Sequence, residues 1–410
     1  MKTIKDSGLG VDIETAFVKH WPGFSDAQDP VSATSGAAPK GGGDWALRIK
    51  VTAGQDSSKR ARRSSKHTAV PDAVSVVVNV CTLGGKKAVL SNPEAVGGGG
   101  GEGKGLSFLG WNSATGKFGV SVVARAGVAG EEGGVQARYY GGKHRRDHME
   151  QADDLLKNVY GYAQHKAAEE GRVGEESELR LPDEVHDEHA ANTMFVQLRV
   201  PVGGQVDVVL TSLSAHGIDA KQPTHKLNKA LTQAVHGLTG ARLDALLATR
   251  LEAFRTKFDR VFRLADRTCT PASGKHAVAC NGGGFSADAI ETGMVALSQV
   301  LGGMTYLDGT WFKATKPFYN NSVEQPAVVS FTASPCRDGF ARGFLWDEGF
   351  HQLLVARWDA GLSRDVLLHW LALLQSDGWI PREQVCERAG GTRAAGELPT
   401  SYALSGRVTH

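Results

Sequence analysis

Apolar residues in the first half of the chain come in short runs of strand character. Val74 to Val80 is a β-branched run, and Phe118 to Val123, Phe195 to Val200 and Val206 to Leu210 alternate between apolar and small or polar residues. Glycine-rich turns separate them. Short strands of this kind predict an antiparallel β-sandwich up to about residue 225. The period then changes. Leu243, Leu247, Leu251, Phe254, Phe258 and Val261 recur every three or four positions and predict one face of a long helix. Ile290, Met294, Leu297 and Leu301 predict a second helix from Ser286 to Tyr306, with Ser286 as its N-cap. Val366, Leu367, Trp370, Leu371 and Leu374 predict a third, stopped by Asp377-Gly378. A β region followed by helices implies domains of different class. The expected division is residues 1–225 for the sandwich, 226–284 for a linker and first helices, and 285–410 for a helical catalytic part.

Composition narrows the function. The 410 residues suffice for two or three domains of about 150 residues. A formal net charge of +2 argues against a dedicated nucleic-acid binder. No run of 18 apolar residues reads as a membrane span, and the first residues lack the apolar core of a signal peptide. Glycine is unusual: 51 residues, about 12% against a typical ~7%. Gly41 to Gly43, Gly97 to Gly101 and Gly282 to Gly284 are runs that disfavour local order. The basic stretch 56–67 reads as a solvated insertion, with a localisation or nucleic-acid patch as the sharper rival. The charged stretch from Asp147 to Glu170 fits a solvated helix on an insertion. The five cysteines are sparse, which argues against a zinc site, with a single Cys269–Cys280 bridge left open. Asn320 heads one glycosylation sequon.

The densest chemistry lies in Arg342-Gly343-Phe344-Leu345-Trp346-Asp347-Glu348-Gly349-Phe350-His351-Gln352. A pyranose stacks its C–H face on an aromatic ring while carboxylates and arginines bind its hydroxyls. The segment Asp377-Gly378-Trp379-Ile380-Pro381-Arg382-Glu383-Gln384 repeats that chemistry at a turn. The bland alternative, aromatics as helix core beside exposed charges, carries equal weight on composition alone. Asp347 and Glu348 do not form an acid/base pair. Glycoside hydrolysis needs carboxyl groups on opposite sides of the bond, about 5–10 Å apart, and neighbours in a strand or helix diverge.

These segments are similar to glycoside hydrolase family 63, in its eukaryotic processing α-glucosidase branch. The resemblance is carried by Ser330 to Arg337, by RGFLWDEGFHQLL (Arg342 to Leu354), by Arg357-Trp358-Asp359 and by DGWIPREQ (Asp377 to Gln384). Leu301 to Tyr306 resembles the helix end before the central motif. Glu14 to Lys19 and Gly42 to Arg48 resemble the family's N-terminal β domain. The resemblance runs over most of residues 10–385 and is interrupted by the insertions.

The resemblance implies a β-sandwich followed by the first part of an (α/α)6 barrel. It implies an exo-acting, inverting hydrolase that removes the terminal α-1,2-linked glucose from Glc3Man9GlcNAc2 on nascent glycoproteins in the endoplasmic reticulum. No metal or organic cofactor is implied. A membrane anchor belongs to the family upstream of the matched region. The family's general acid and base lie downstream of the matched motifs and are expected beyond His410, so the chain reads as a truncated fragment with little turnover of its own. No residue in it carries over as catalytic. Asp347 carries over as a substrate-contacting carboxylate, with Trp346 and Phe350 shaping the glucose pocket. Arg337 and Arg342 either orient carboxylates or form buried ion pairs, Arg342 with a neighbouring carboxylate of the motif. Glu348, Trp379, Arg382 and Glu383 belong to the pocket or hold it. His351 is expected to be a satisfied packing histidine, and Asp44 and Trp45 structural. The rival reading is a non-catalytic carbohydrate-binding fragment.

Overall fold

The structure is a computed structural model that describes residues 2–6, 9–20, 43–54, 72–82, 89–96, 104–112, 116–125, 137–143, 152–169, 180–186, 191–213, 216, 218, 222, 226–227, 231, 235, 237–266, 280–281, 284–315, 321–335, 342–376, 378–384 and 386–387. It divides into two compact units. The first takes residues 1–145 and 152–250, the second 146–151 and 251–410.

The first unit is built from β1 (Lys2–Asp6), β2 (Val11–His20), β3 (Asp44–Ala53), β4 (Ala73–Cys81), β5 (Val89–Leu90), β6 (Glu94–Val96), β7 (Lys104–Asn112), β8 (Gly116–Arg125), β9 (Ala137–Gly142), helix α1 (Ala152–Glu169), β10 (Glu184–Val185), β11 (Thr193–Pro201) and β12 (Gln205–Ser212). One sheet runs β1-β2-β3-β12-β8-β7-β5, with β6 also on β7; the other runs β10-β9-β11-β4. All pairings are antiparallel except the short β10–β9 contact. Val120, Val122, Val206 and Val208 of the first sheet share a core with Met194, Val196, Leu198 and Val200 of the second. The expected sandwich of antiparallel sheets is therefore present, and its four named strand runs fall on β4, β8, β11 and β12.

Strict alternation fails in β8 and β12 for a physical reason. Both faces of these strands are covered. Val123 and Val209 point away from the second sheet and pack with Leu238, Leu243 and Leu246. A strand buried on both sides reads as a continuous apolar run. Gly105 marks another constraint: a Cβ there would lie 1.9 Å from the Val122 carbonyl oxygen. The charged stretch does hold a helix, α1, but it is not wholly solvated. Val159 packs with Leu181 and Phe195 beneath it, so the first part is not purely β.

Helix α2 (Gly240–Phe262) begins in the first unit. Its start is fixed by charge. Arg48 on β3 donates to both oxygens of Asp207 on β12, at 2.6 and 2.8 Å, and to the Gly240 carbonyl at 3.0 Å. Asp207 also accepts the Gly240 N–H, and Arg48 reaches Asp244 on the helix. Gly240 has φ +59, a left-handed conformation in which its missing Cβ also leaves room for the Arg125 guanidinium.

The second unit continues with β13 (Cys280–Asn281), β14 (Gly284–Phe285), α3 (Ala287–Gly302), β15 (Met304–Thr315), β16 (Asn321–Ala333), β17 (Gly343–Phe344), α4 (Leu345–Trp358), α5 (Ala360–Leu371), β18 (Glu383–Gln384) and β19 (Cys386–Glu387). Ser286 caps α3 as expected, accepting the Ala289 N–H at 3.3 Å. The helix stops at Gly302, not Tyr306. Met304 onward instead pairs with β16 in a long antiparallel hairpin that the helical period had hidden. The third expected helix begins earlier, at Ala360, because Asp359 caps it by accepting the Leu362 N–H at 3.0 Å. Its inward residues are Val366 and Trp370, which pack with Leu373, Met304, Phe331, Leu345 and Ile380. Leu367, Leu371 and Leu374, whose spacing helped to predict this helix, are exposed.

Candidate carbohydrate face

The two aromatic-acidic segments, some 40 residues apart, meet as a strand pair. Gly343 pairs with Gln384 and Phe344 with Glu383. Immediately after, the Leu345 N–H donates to the Arg382 carbonyl at 2.9 Å. That bond takes the place of a side-chain cap, which Phe344 at the start of α4 does not provide. Asp347 and Glu348 in the first turn and Arg357 in the last suit the helix dipole. A turn with Gly378 at φ +84 brings the chain from α5 into β18.

Arg342 holds the pair together. It is buried, donates to Glu383 Oε2 at 2.9 Å and lies 5.0 Å from the Phe344 ring centre. Of its two expected roles it takes the ion pair, but with Glu383 and not with the adjacent motif carboxylates. Arg382 is exposed and reaches Glu383 Oε1 at 3.4 Å.

The helix then separates its neighbouring carboxylates, as a 100° step requires. Glu348 is 1% exposed. Its Oε2 accepts the Ala333 N–H at 2.8 Å, the Trp370 indole N–H at 3.3 Å and the Thr332 hydroxyl. Its Oε1 accepts from Gln352 Nε2 at 2.5 Å. Asp347 points elsewhere and is partly exposed, with no hydrogen-bond or ion-pair partner among the described residues. Beside it stand Trp346, 73% exposed, and Phe350, 60% exposed. Their rings meet edge-on at 5.4 Å, as residues four apart on a helix do. Leu353 and Leu354 extend this face along α4, and Trp379 is also exposed.

His351 differs from expectation. It is half-buried, its Nδ1 lies 3.9 Å from Glu348 Oε1, and that nitrogen makes no hydrogen bond among the described residues. Glu348 already receives four other donors, so the histidine is left out. Asp44 is structural as expected: it accepts the Ser212 N–H at 2.9 Å and contacts His216 Nε2 at 2.7 Å. Arg337, Asn320, the Cys269–Cys280 pairing and His410, past which the acid and base were expected, lie outside the described residues. The apolar outer faces of α4 and α5 were missed by spacing alone. The signal available was an excess: Leu353-Leu354 and Leu367-Leu368 put apolar residues on more sides than one buried stripe accounts for.

Residues 238–406 match the model of the glycosyl hydrolase family 63 C-terminal domain. The matched span, about two-fifths of the chain, is similar to that family's domain. That match starts at the approach to α2 and runs past Gln384, where the motif resemblance was expected to end, to residue 406, four short of His410. Among curated relatives, the chain is 33% identical over 232 residues to a mannosyl-oligosaccharide glucosidase of Arabidopsis thaliana, covering 55% of this chain and 23% of the relative. It is 43% identical over 72 residues to a probable mannosyl-oligosaccharide glucosidase of Schizosaccharomyces pombe, covering 18% of this chain and 9% of the relative. A mannosyl-oligosaccharide glucosidase of Saccharomyces cerevisiae is 32% identical over 117 residues, 26% of this chain and 14% of the relative. The chain thus spans about a quarter or less of the relatives it matches. These relatives are named as glucosidases, and the motif-bearing α4 and β18 fall inside the span matched by the family model.

Proposed function

We propose that this chain belongs to an exo-acting, inverting glycosidase that removes the terminal α-1,2-linked glucose from Glc3Man9GlcNAc2 on nascent glycoproteins in the endoplasmic reticulum. In this reading a β-sandwich domain precedes an (α/α)6 barrel to which α2–α5 contribute, and the described residues supply a sugar-binding wall. One observation carries it: Trp346 and Phe350 stand exposed on the first turns of α4, flanking a carboxylate, Asp347, that has no partner among the described residues. The rings offer stacking faces for a pyranose and Asp347 accepts from its hydroxyls. Arg342 and Glu383 hold the strand pair beneath, while Trp379 and Arg382 border it. Inversion needs an acid and a base about 6.5–9.5 Å apart across the ring. Asp347 and Glu348 do not supply them, because Glu348 faces inward with both oxygens engaged.

The test is to mix the 410-residue chain with the triglucosylated glycan, reading binding by calorimetry and released glucose by NMR. Binding that Asp347→Ala abolishes supports the sugar wall, and β-glucose released at any rate, however slow, supports the inverting hydrolase. Binding without release favours the second reading, a carbohydrate-binding chain, for which the exposed rings suffice. Absence of binding by the folded chain overturns both.

A further inference from the structure

We infer that Glu348 is a positioning residue that sets the rotation of α4 about its own axis and so aims Asp347 and the two rings at the sugar. The inference rests on the carbohydrate reading above. The outward side chains fix nothing themselves: Trp346 and Phe350 touch each other edge-on, and Asp347 has no partner among the described residues. The helix start has no side-chain cap, and its one backbone tie is Leu345 N–H to the Arg382 carbonyl. Leu345 and Val355 add apolar packing on the inward side, but such packing is non-directional and leaves freedom for small rotations about the axis.

Glu348 removes that freedom. Its donors come from three elements: Thr332 and Ala333 on β16, Gln352 one turn on in α4, and Trp370 on α5. Strand and neighbouring helix are thereby both tied to one buried carboxylate. Successive helical residues differ by about 100°, so fixing the azimuth of residue 348 fixes that of residue 347. Side-chain ends on a helix lie about 5–6 Å from its axis, and a rotation of ~10° moves the Asp347 carboxylate by about 1 Å. Binding groups tolerate roughly 0.5 Å, and a 1 Å misplacement can cost about 100-fold in function.

Glu348→Gln keeps the shape and places an N–H₂ among groups that are themselves donors. Thr332→Val removes one donor and leaves the carboxylate. Both are made in the 410-residue chain with ¹⁵N-labelled tryptophan. Three quantities are read: the thermal midpoint, the Trp370 indole N–H resonance, and affinity for the disaccharide of two glucoses joined α-1,2, titrated well below the melt. The expected result is a shifted Trp370 indole signal and at least a tenfold affinity loss in Glu348→Gln. Thr332→Val gives a smaller loss in the same direction. Either folded variant binding as wild type, with only its midpoint lowered, overturns the positioning role and leaves the sugar wall standing. If Glu348→Gln does not fold, Thr332→Val decides. Wild-type chain that does not bind the disaccharide overturns the carbohydrate reading and takes this inference with it.

Discussion

Arg48 and Asp207 are direct partners across β3 and β12, both 1% exposed and joined by two hydrogen bonds of 2.6 and 2.8 Å. Strand register itself makes this pair, and Asp207 passes the contact on to the start of α2 through the Gly240 N–H. Asp207→Ala leaves the guanidinium buried with Asp244 as its remaining carboxylate. Such a change costs about 3–5 kcal/mol. The urea midpoint of the first unit reports it. Added salt leaves the wild-type contribution nearly intact, because buried pairs are weakly screened.

His216 gives the first unit a pH-dependent tie. The hydrogen bond to buried Asp44 raises its pKa above the ordinary value, outweighing burial, which lowers it, with help from the aspartate's charge. A raised folded-state pKa stabilises below the unfolded value of about 6.5, and the gain is lost as pH rises through the folded value. Thermal midpoints measured from acid to alkaline pH therefore fall across that window in wild type. His216→Gln flattens this part of the profile.

Gly105→Ala tests a close backbone approach in the first sheet. Its Cβ meets the Val122 backbone oxygen, which cannot swing aside as a side chain does. The expected loss is about 3 kcal/mol, at the upper end of overpacking costs. Hydrogen exchange of the β7 and β8 amides localises it, with faster exchange there than at β4 and β11.

Trp346→Ala separates binding from stability. The side chain is largely exposed, so the folded state changes by at most about 0.5 kcal/mol in denaturant titration. Affinity for a glucosylated glycan falls about tenfold, or ~1.4 kcal/mol, through lost stacking. Equal affinity in the two proteins removes Trp346 from the sugar wall.

The strands and the long helix were legible because their periods differ. β4, β8, β11 and β12 carry short β-branched runs, and α2 carries a 3.6-residue repeat. The β15–β16 hairpin was hidden because α3's apolar spacing runs on through Met304 to Tyr306, while Gly303 ends the helix by long-range contact. A Cβ on Gly303 would sit 2.9 Å from the Ser334 carbonyl oxygen, a neighbour 31 residues away in sequence that no local pattern reveals. The divergence of Asp347 and Glu348 followed from helical geometry alone. Which one turns inward did not, because Thr332, Trp370 and Gln352 become donors to Glu348 only after β16 and α5 have packed. The partner of Arg342 differs from the expected one for the same reason: Glu383 is 41 residues on and arrives through strand pairing.

The β17–β18 pair also orders events in time. Ribosomes deliver the chain from its N-terminus at about 5–20 residues per second, so roughly 2–8 seconds separate the emergence of Arg342 from that of Glu383. For most of that interval Trp346 and Phe350 have also emerged, while the strand that ties the base of α4 has not. The base of the wall is therefore tied only once the short segment Arg382 to Gln384 has emerged, so a pause in translation before that segment lengthens the time the face stands untied.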